Sequence, residues 1–146
     1  MPVFVDTNVF LYARDDADPD KQRAARLWQA ELWKNRRGRI SYQVLHEFYA
    51  NAMQKWPPAR ESIRADVRDL LAWQPVIVDD AVLERAWKIQ DRHKLSFWDS
   101  LIVAAAQSAA CHWLLTEDLH AGQNLDGVTV INPFMLSPDQ LPQTAP

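Results

Sequence analysis

Four carboxylates stand where an acid can do more than solvate a surface: Asp6, Glu47, Asp99 and Asp118. Asp6 follows Val3-Phe4-Val5, an apolar run with two β-branched residues that reads as a short strand buried on both faces. Thr7 and Asn8 come next, and Asp-Thr-Asn favours a cap or turn. Open α/β sheets build their sites in the crevice beyond the strand ends. Asp6 is therefore expected at the centre of an acidic metal site, with capping of the following turn as the competing role. Asp118 lies two residues beyond Thr116, the end of a second apolar strand. Parallel strands share a C-terminal edge, so Asp6 and Asp118 are expected on the same edge.

Glu47 lies in Val44-Leu45-His46-Glu47-Phe48-Tyr49-Ala50-Asn51 and borders the apolar face of a helix rather than opposing it. A carboxylate there is costly to desolvate unless a cation or donor compensates, or unless it reaches water at the edge. Asp99 stands at the third helical position after Ser96, in a capping-box arrangement before Leu101, Ile102, Val103 and three alanines. That helix is apolar nearly all round, so its first turn points an acid into the structure, and cap and metal ligand are compatible roles. An all-oxygen donor set selects a hard cation, Mg²⁺ or Mn²⁺. No Ser/His/Asp pattern emerges, and the four histidines lack metal-type spacing. Three glycines (Gly38, Gly122 and Gly127) are too few for a phosphate-cradling loop.

The elements that must position these acids alternate. Strands are expected at Val3–Val5, Arg39–Ser41, Pro75–Val78, Trp113–Thr116 and Val128–Ile131. Helices are expected near 19–36, 42–55, 59–72, 80–94 and 96–110, with a short apolar turn or helix at Val9–Ala13. Asp18 before Pro19, Ser41, Asp79 or Asp80, and Ser96 are the starting caps. This order predicts an α/β three-layer sandwich around a central parallel sheet of about five strands. Residues 1–134 read as one domain, and 135–146 as a Pro-rich, loosely ordered C-terminal tail.

A chain of 146 residues, 48% hydrophobic and 24% charged, suits one globular domain. A net charge of −3 argues against a generic nucleic-acid coat but leaves room for a nuclease whose acids hold a metal. The basic cluster Lys34, Arg36 and Arg37 reads as a favourable helix end, and the stripe Arg60, Arg64 and Arg68 as a solvated face. One cysteine, Cys111, excludes an internal disulfide, and neither a membrane-spanning run nor a signal segment is legible, so a cytoplasmic protein is expected. Seven scattered tryptophans read as core or interface residues.

Four segments in order, Val5-Asp6-Thr7-Asn8, Ser41 to Glu47 with Phe48-Tyr49, Ser96-Phe97-Trp98-Asp99-Ser100-Leu101-Ile102 and Leu115-Thr116-Glu117-Asp118-Leu119, resemble the PIN-domain ribonucleases, nearest to the VapC-type toxins of toxin–antitoxin pairs. The resemblance runs over about residues 2–134. It implies that Asp6, Glu47, Asp99 and Asp118 bind the divalent metal, with Thr7, Asn8 and Thr116 in support. Glu117 competes with Asp118 for the fourth position, and one or two ions are compatible with the pattern. It further implies cleavage of single-stranded RNA, a homodimer, and inhibition by a small antitoxin. Two rivals are a phosphohydrolase of the haloacid-dehalogenase kind with Asp6 as nucleophile, and a non-catalytic RNA-binding or interaction module. The first wants an acid two residues after Asp6, where the chain has Asn8.

Overall fold

In the computed structural model, which describes residues 1–142, five short strands form one sheet. The strands are β1 (Val3–Val5), β2 (Gly38–Arg39), β3 (Trp113–Leu115), β4 (Asn124–Leu125) and β5 (Val128–Ile131), in the order β2-β1-β3-β5-β4. The first four in that order run parallel, and β4 is an antiparallel edge. Six helices accompany them: α1 (Thr7–Arg14), α2 (Pro19–Lys34), α3 (Tyr42–Lys55), α4 (Arg60–Leu70), α5 (Asp80–His93) and α6 (Phe97–Ser108). The sheet is flanked by helices, which is the expected three-layer α/β architecture. One contiguous cluster of buried apolar residues runs from Val3 to Leu141.

The caps explain where the helices begin. Asp18 accepts from the Lys21 amide, with Pro19 at the first helical position. Ser41, Asp79 and Ser96 accept from the amides of Val44, Val82 and Asp99, each three residues on. Helix α6 is buried continuously from Ser100 to Ala106, as its all-round apolar sequence requires. It lies against β3 and β5 and carries α5 on its outer side.

Three local expectations are corrected. Pro75–Val78 is not a strand: Val76 makes one parallel bridge to Ser41, bonding through Ile40 O and the Tyr42 amide. Pro75 has no amide to donate, and the Asp79 amide turns back onto Ile77 O, leaving Ile77 70% exposed. The fifth strand is instead β4, joined to β5 by Asp126-Gly127, both at positive φ, as a two-residue hairpin turn demands. That Asp-Gly pair was the sequence signal for it. Nor are residues 135–142 loose. The Trp28 indole donates to Pro133 O at 3.1 Å and Leu136 O at 3.0 Å, and Leu141 is buried. The end of the Pro-rich tail, 143–146, lies outside the described residues.

Gly38 shows how tightly the sheet edge is packed. A Cβ built on it would lie 2.0 Å from Cζ3 of Trp73, whose ring also stacks on Trp33 and meets Phe10 edge-on. Gly38→Ala is expected to destabilise the protein by about 1–3 kcal/mol through overpacking. Thermal unfolding should show a midpoint several degrees lower; an unchanged midpoint would mean that the Trp73 ring shifts freely.

Candidate active site

The parallel pairing of β1 with β3 puts Val5 opposite Leu115, so the residues that follow, Asp6 and Thr116, leave the same sheet edge together. The Asp6 amide donates to Leu115 O at 3.0 Å, extending the ladder one step past the strand. Asp6 then caps α1, its Oδ1 accepting from the Thr7 amide at 2.7 Å. Its Oδ2 accepts from the Thr116 hydroxyl at 2.8 Å. Capping and a central place among the acids prove to be one and the same geometry.

Around this pair two of the other acids, Glu47 and Asp118, are held by side-chain donors. Asn8 Nδ2 donates to Thr116 Oγ1 at 3.1 Å and to Asp118 Oδ2 at 3.0 Å. The Asp118 amide also donates to Thr116 Oγ1, at 3.1 Å. Glu47, on α3, accepts from the Thr7 hydroxyl at 2.9 Å and from Gln43 Nε2 at 2.7 Å. Asp99 sits in the first turn of α6, three residues after its cap. Asp6, Glu47, Asp99 and Asp118 all line a single cavity of about 180 Å³, shared with Thr7, Asn8, Gln43, Asn51 and Trp98. Thr116 stands behind it, fully buried.

Glu117 goes elsewhere. Its carboxylate is ion-paired with Lys21 at 2.8 Å, and Lys21 lies over the rings of Tyr12 and Phe134. Of the two adjacent acids, Asp118 reaches the cavity and Glu117 braces α2. Gln43 was not singled out from sequence, although it stands four residues before Glu47 on the same helix face, the spacing at which side chains meet. Its Nε2 also lies 3.3 Å from Trp98 O, tying α3 to the start of α6.

Burial dominates the electrostatics. It pushes the Asp6 carboxyl up to about 6, against the lowering effect of the Thr116 and Thr7 hydrogen bonds and with smaller contributions from the charges of Asp118 and Glu47. Burial also raises Asp99, opposed by Ser96 and reinforced by Asp118 and Glu47. Two buried amide oxygens in the cavity lining, Asn8 Oδ1 and Gln43 Oε1, have no hydrogen-bond partner. Both amides are oriented by their NH₂ groups, which donate to carboxylates; a flip would set oxygen against oxygen. Unpartnered acceptors beside carboxylates call for a cation or its water ligands. Among the described residues, no group of three or more acid, histidine or cysteine side chains stands close enough together to hold a metal ion as placed. The all-oxygen donors around the cavity would suit a hard divalent ion by their chemistry.

A larger cavity of about 880 Å³ is lined by residues of α1, α2 and α4 and of the turn after α4, among them Phe10, Arg14, Trp33 and Trp73. None of the four cavity acids lines it, so it is a separate feature.

Comparison with known proteins comes to the same fold. The sequence model of the PIN domain matches residues 3–123. No curated protein matches the chain. Among solved structures, a toxin–antitoxin complex from Klebsiella pneumoniae is 20% identical, with 91% of this chain and 98% of that one covered and a TM-score of 0.58. VapC20 of Mycobacterium tuberculosis, described as a sarcin-ricin loop cleaving toxin, is 19% identical over 77% of this chain and 86% of its own, with a TM-score of 0.59. VapBC2 from Rickettsia felis, bound to a DNA fragment from its promoter, is 17% identical over 89% and 97%, with a TM-score of 0.63.

The raised Asp6 carboxyl sets a pH dependence of stability. An acid whose folded pKa exceeds its unfolded value binds more protons when folded, so its contribution is full below the unfolded pKa and lost as pH rises through the folded one. With Asp6 moving from 3.8 to about 6, the metal-free protein should lose roughly 2–3 kcal/mol from this group between about pH 4 and pH 6.5. Asp6→Asn should lack that component. The check is denaturant unfolding of both proteins in chelator across this range; parallel curves would place the Asp6 carboxyl in the ordinary range.

Proposed function

Since the chain belongs to the PIN domain family, we propose that it is a metal-dependent endoribonuclease that cleaves single-stranded RNA and serves as the toxin of a toxin–antitoxin pair. The observation that carries this reading is the meeting of Asp6, Glu47, Asp99 and Asp118 on one cavity at the sheet's C-terminal edge, beside two unpartnered amide oxygens. In this reading Asp6 and Asp99 hold Mg²⁺ or Mn²⁺, and Glu47 and Asp118 hold it directly or through water. Such an ion supplies positive charge to the phosphodiester and acidifies water for attack at phosphorus.

The chain's own residues prepare the site for that ion. Thr7 and Thr116 each fix one carboxylate oxygen of Asp6, which sets the direction of its remaining lone pairs. Gln43 and the Thr7 hydroxyl do the same for Glu47, and Asn8 for Asp118. Burial raises the Asp6 carboxyl to about 6, so near and below that pH ion binding must displace a proton, and affinity should rise with pH. The haloacid-dehalogenase reading is disfavoured: the position two after Asp6 is an amide engaged with Thr116 and Asp118 rather than a second acid.

The partners follow from the same reading. The nuclease unit would comprise residues 1–134, with residues 135–142 packed onto it through Leu136 O and Leu141. The cleft among α1, α2 and α4, where Trp33 is 55% exposed, suits an apolar segment of a small antitoxin. One of the structural neighbours described above is a toxin–antitoxin complex. Exposed Ile77, Val78 and Trp87 offer apolar surface for a homodimer. No helix among the described residues is long and apolar enough to cross a membrane, and the cytoplasm, where RNA is available, is the proposed compartment.

Incubating the purified protein with an RNA pool and Mg²⁺, then sequencing the cut ends, should reveal discrete cleavage sites. Asp6→Asn and Asp99→Asn should each reduce cleavage by about a hundredfold or more while leaving the circular dichroism spectrum unchanged. Full activity of either variant would remove it from the site. Mg²⁺ should raise the melting temperature of the wild type more at about pH 7.5 than at about pH 5.5, because it binds the ionised acids. An equal shift at both values would mean that the acids do not act as one site.

A further inference from the structure

The cavity contains a chemical contradiction for a phosphodiester substrate. Its acids repel phosphate, and none of the residues lining it is Lys, Arg or His. A bound divalent ion can attract one phosphate, but it leaves the rest of a nucleic-acid strand without a partner at the rim. The aromatic group among the residues lining it is Trp98.

Trp98 is the second residue of α6, next to Asp99, and its side chain is 63% exposed although it lines the cavity. Its backbone is fixed on both sides. The Ser96 cap holds the helix start through the Asp99 amide at 3.1 Å, and Gln43 Nε2 lies 3.3 Å from Trp98 O. The indole is braced by Phe97, with centroids 5.3 Å apart and planes at 66°. A large π-face is thus held in position beside the acids, largely in water. An unpaired base stacks on such a face without any charge, which suits an acid-lined site.

We propose that the Trp98 ring is the stacking platform for an unpaired base flanking the bond cut in the cavity, a positioning residue that selects single-stranded over paired substrate. This rests on the ribonuclease reading above. The base supplies the binding energy that cationic side chains supply elsewhere, and stacking fixes the neighbouring phosphate against the acids. A base inside a duplex has both faces occupied and cannot make the contact.

The test uses a short labelled single-stranded RNA containing a cut site mapped with the wild-type protein, in Mg²⁺. Trp98→Ala should raise KM about tenfold with kcat nearly unchanged. Trp98→Phe should restore most of the loss, and Trp98→Leu, apolar but without a π-face, should not. On substrates made abasic at the nucleotide before or after the cut, one position should cost the wild type about the same tenfold and cost Trp98→Ala nothing further. An unchanged KM in Trp98→Ala, equal rescue by Leu and Phe, or additive losses with both abasic substrates would overturn the proposal. So would light scattering in which Trp98→Ala dissociates a dimer, since the ring would then be a protein contact. If the wild type cuts no RNA at all, the ribonuclease reading falls and this proposal with it; cleavage without the Trp98 effect refutes the platform alone.

Discussion

The side chain of Thr116 is buried at the sheet's C-terminal edge, and its hydroxyl uses its full hydrogen-bonding capacity. It donates to Asp6 and accepts from Asn8 Nδ2 and from the Asp118 amide. Three segments of chain are therefore indexed to one oxygen atom: the end of β1, the first turn of α1 and the loop after β3. The strand pairing that brings Thr116 to this place is ordinary parallel sheet. What is specific is that the first residue past the ladder carries a small hydroxyl, because a larger or purely apolar group could not bridge a buried carboxylate to two donors.

Two of the four acids also sit at helix beginnings. Asp6 caps α1, and Asp99 lies in the first turn of α6. Unpaired amides at a helix N-terminus favour negative charge, so the fold offsets part of the burial that raises both carboxyls. The result is two acids, Asp6 and Asp99, that are costly to ionise yet placed at helix beginnings before any cation arrives. A net charge of −3 is consistent with this concentration of acid.

Much of this was legible in the sequence because it depends on local rules. The caps at Asp18, Ser41, Asp79 and Ser96, the buried run of α6 and the acids past β1 and β3 all follow from residues within one turn or one strand of each other. What escaped depends on contacts distant in sequence. Pro75–Val78 has strand composition, but only one bridge is available at that edge. The proline-rich segment after Phe134 looks unstructured by composition, yet the Trp28 indole, more than a hundred positions earlier, holds the Leu136 carbonyl and that of Pro133 just before the segment. The choice between Glu117 and Asp118 could not be read from two adjacent acids; it turns on Lys21, which reaches Glu117 from α2. Gln43 was missed because a glutamine at a helix start carries no composition signal, although its spacing from Glu47 did.

The bond from Thr116 to Asp6 spans 110 positions. A ribosome making about 5–20 residues per second releases Asp6 roughly 5–20 seconds before its partner exists. During that interval β1 can pair only with β2, and the N-terminal acid lacks the β3 strand, the Thr116 hydroxyl that orients it and the two acids that follow from α6 and the loop after β3. The acid-bearing edge is thus incomplete in the growing chain and is assembled only when synthesis is nearly finished. If the proposed activity is the right one, a nascent chain cannot, by its topology, cut the message from which it is being read.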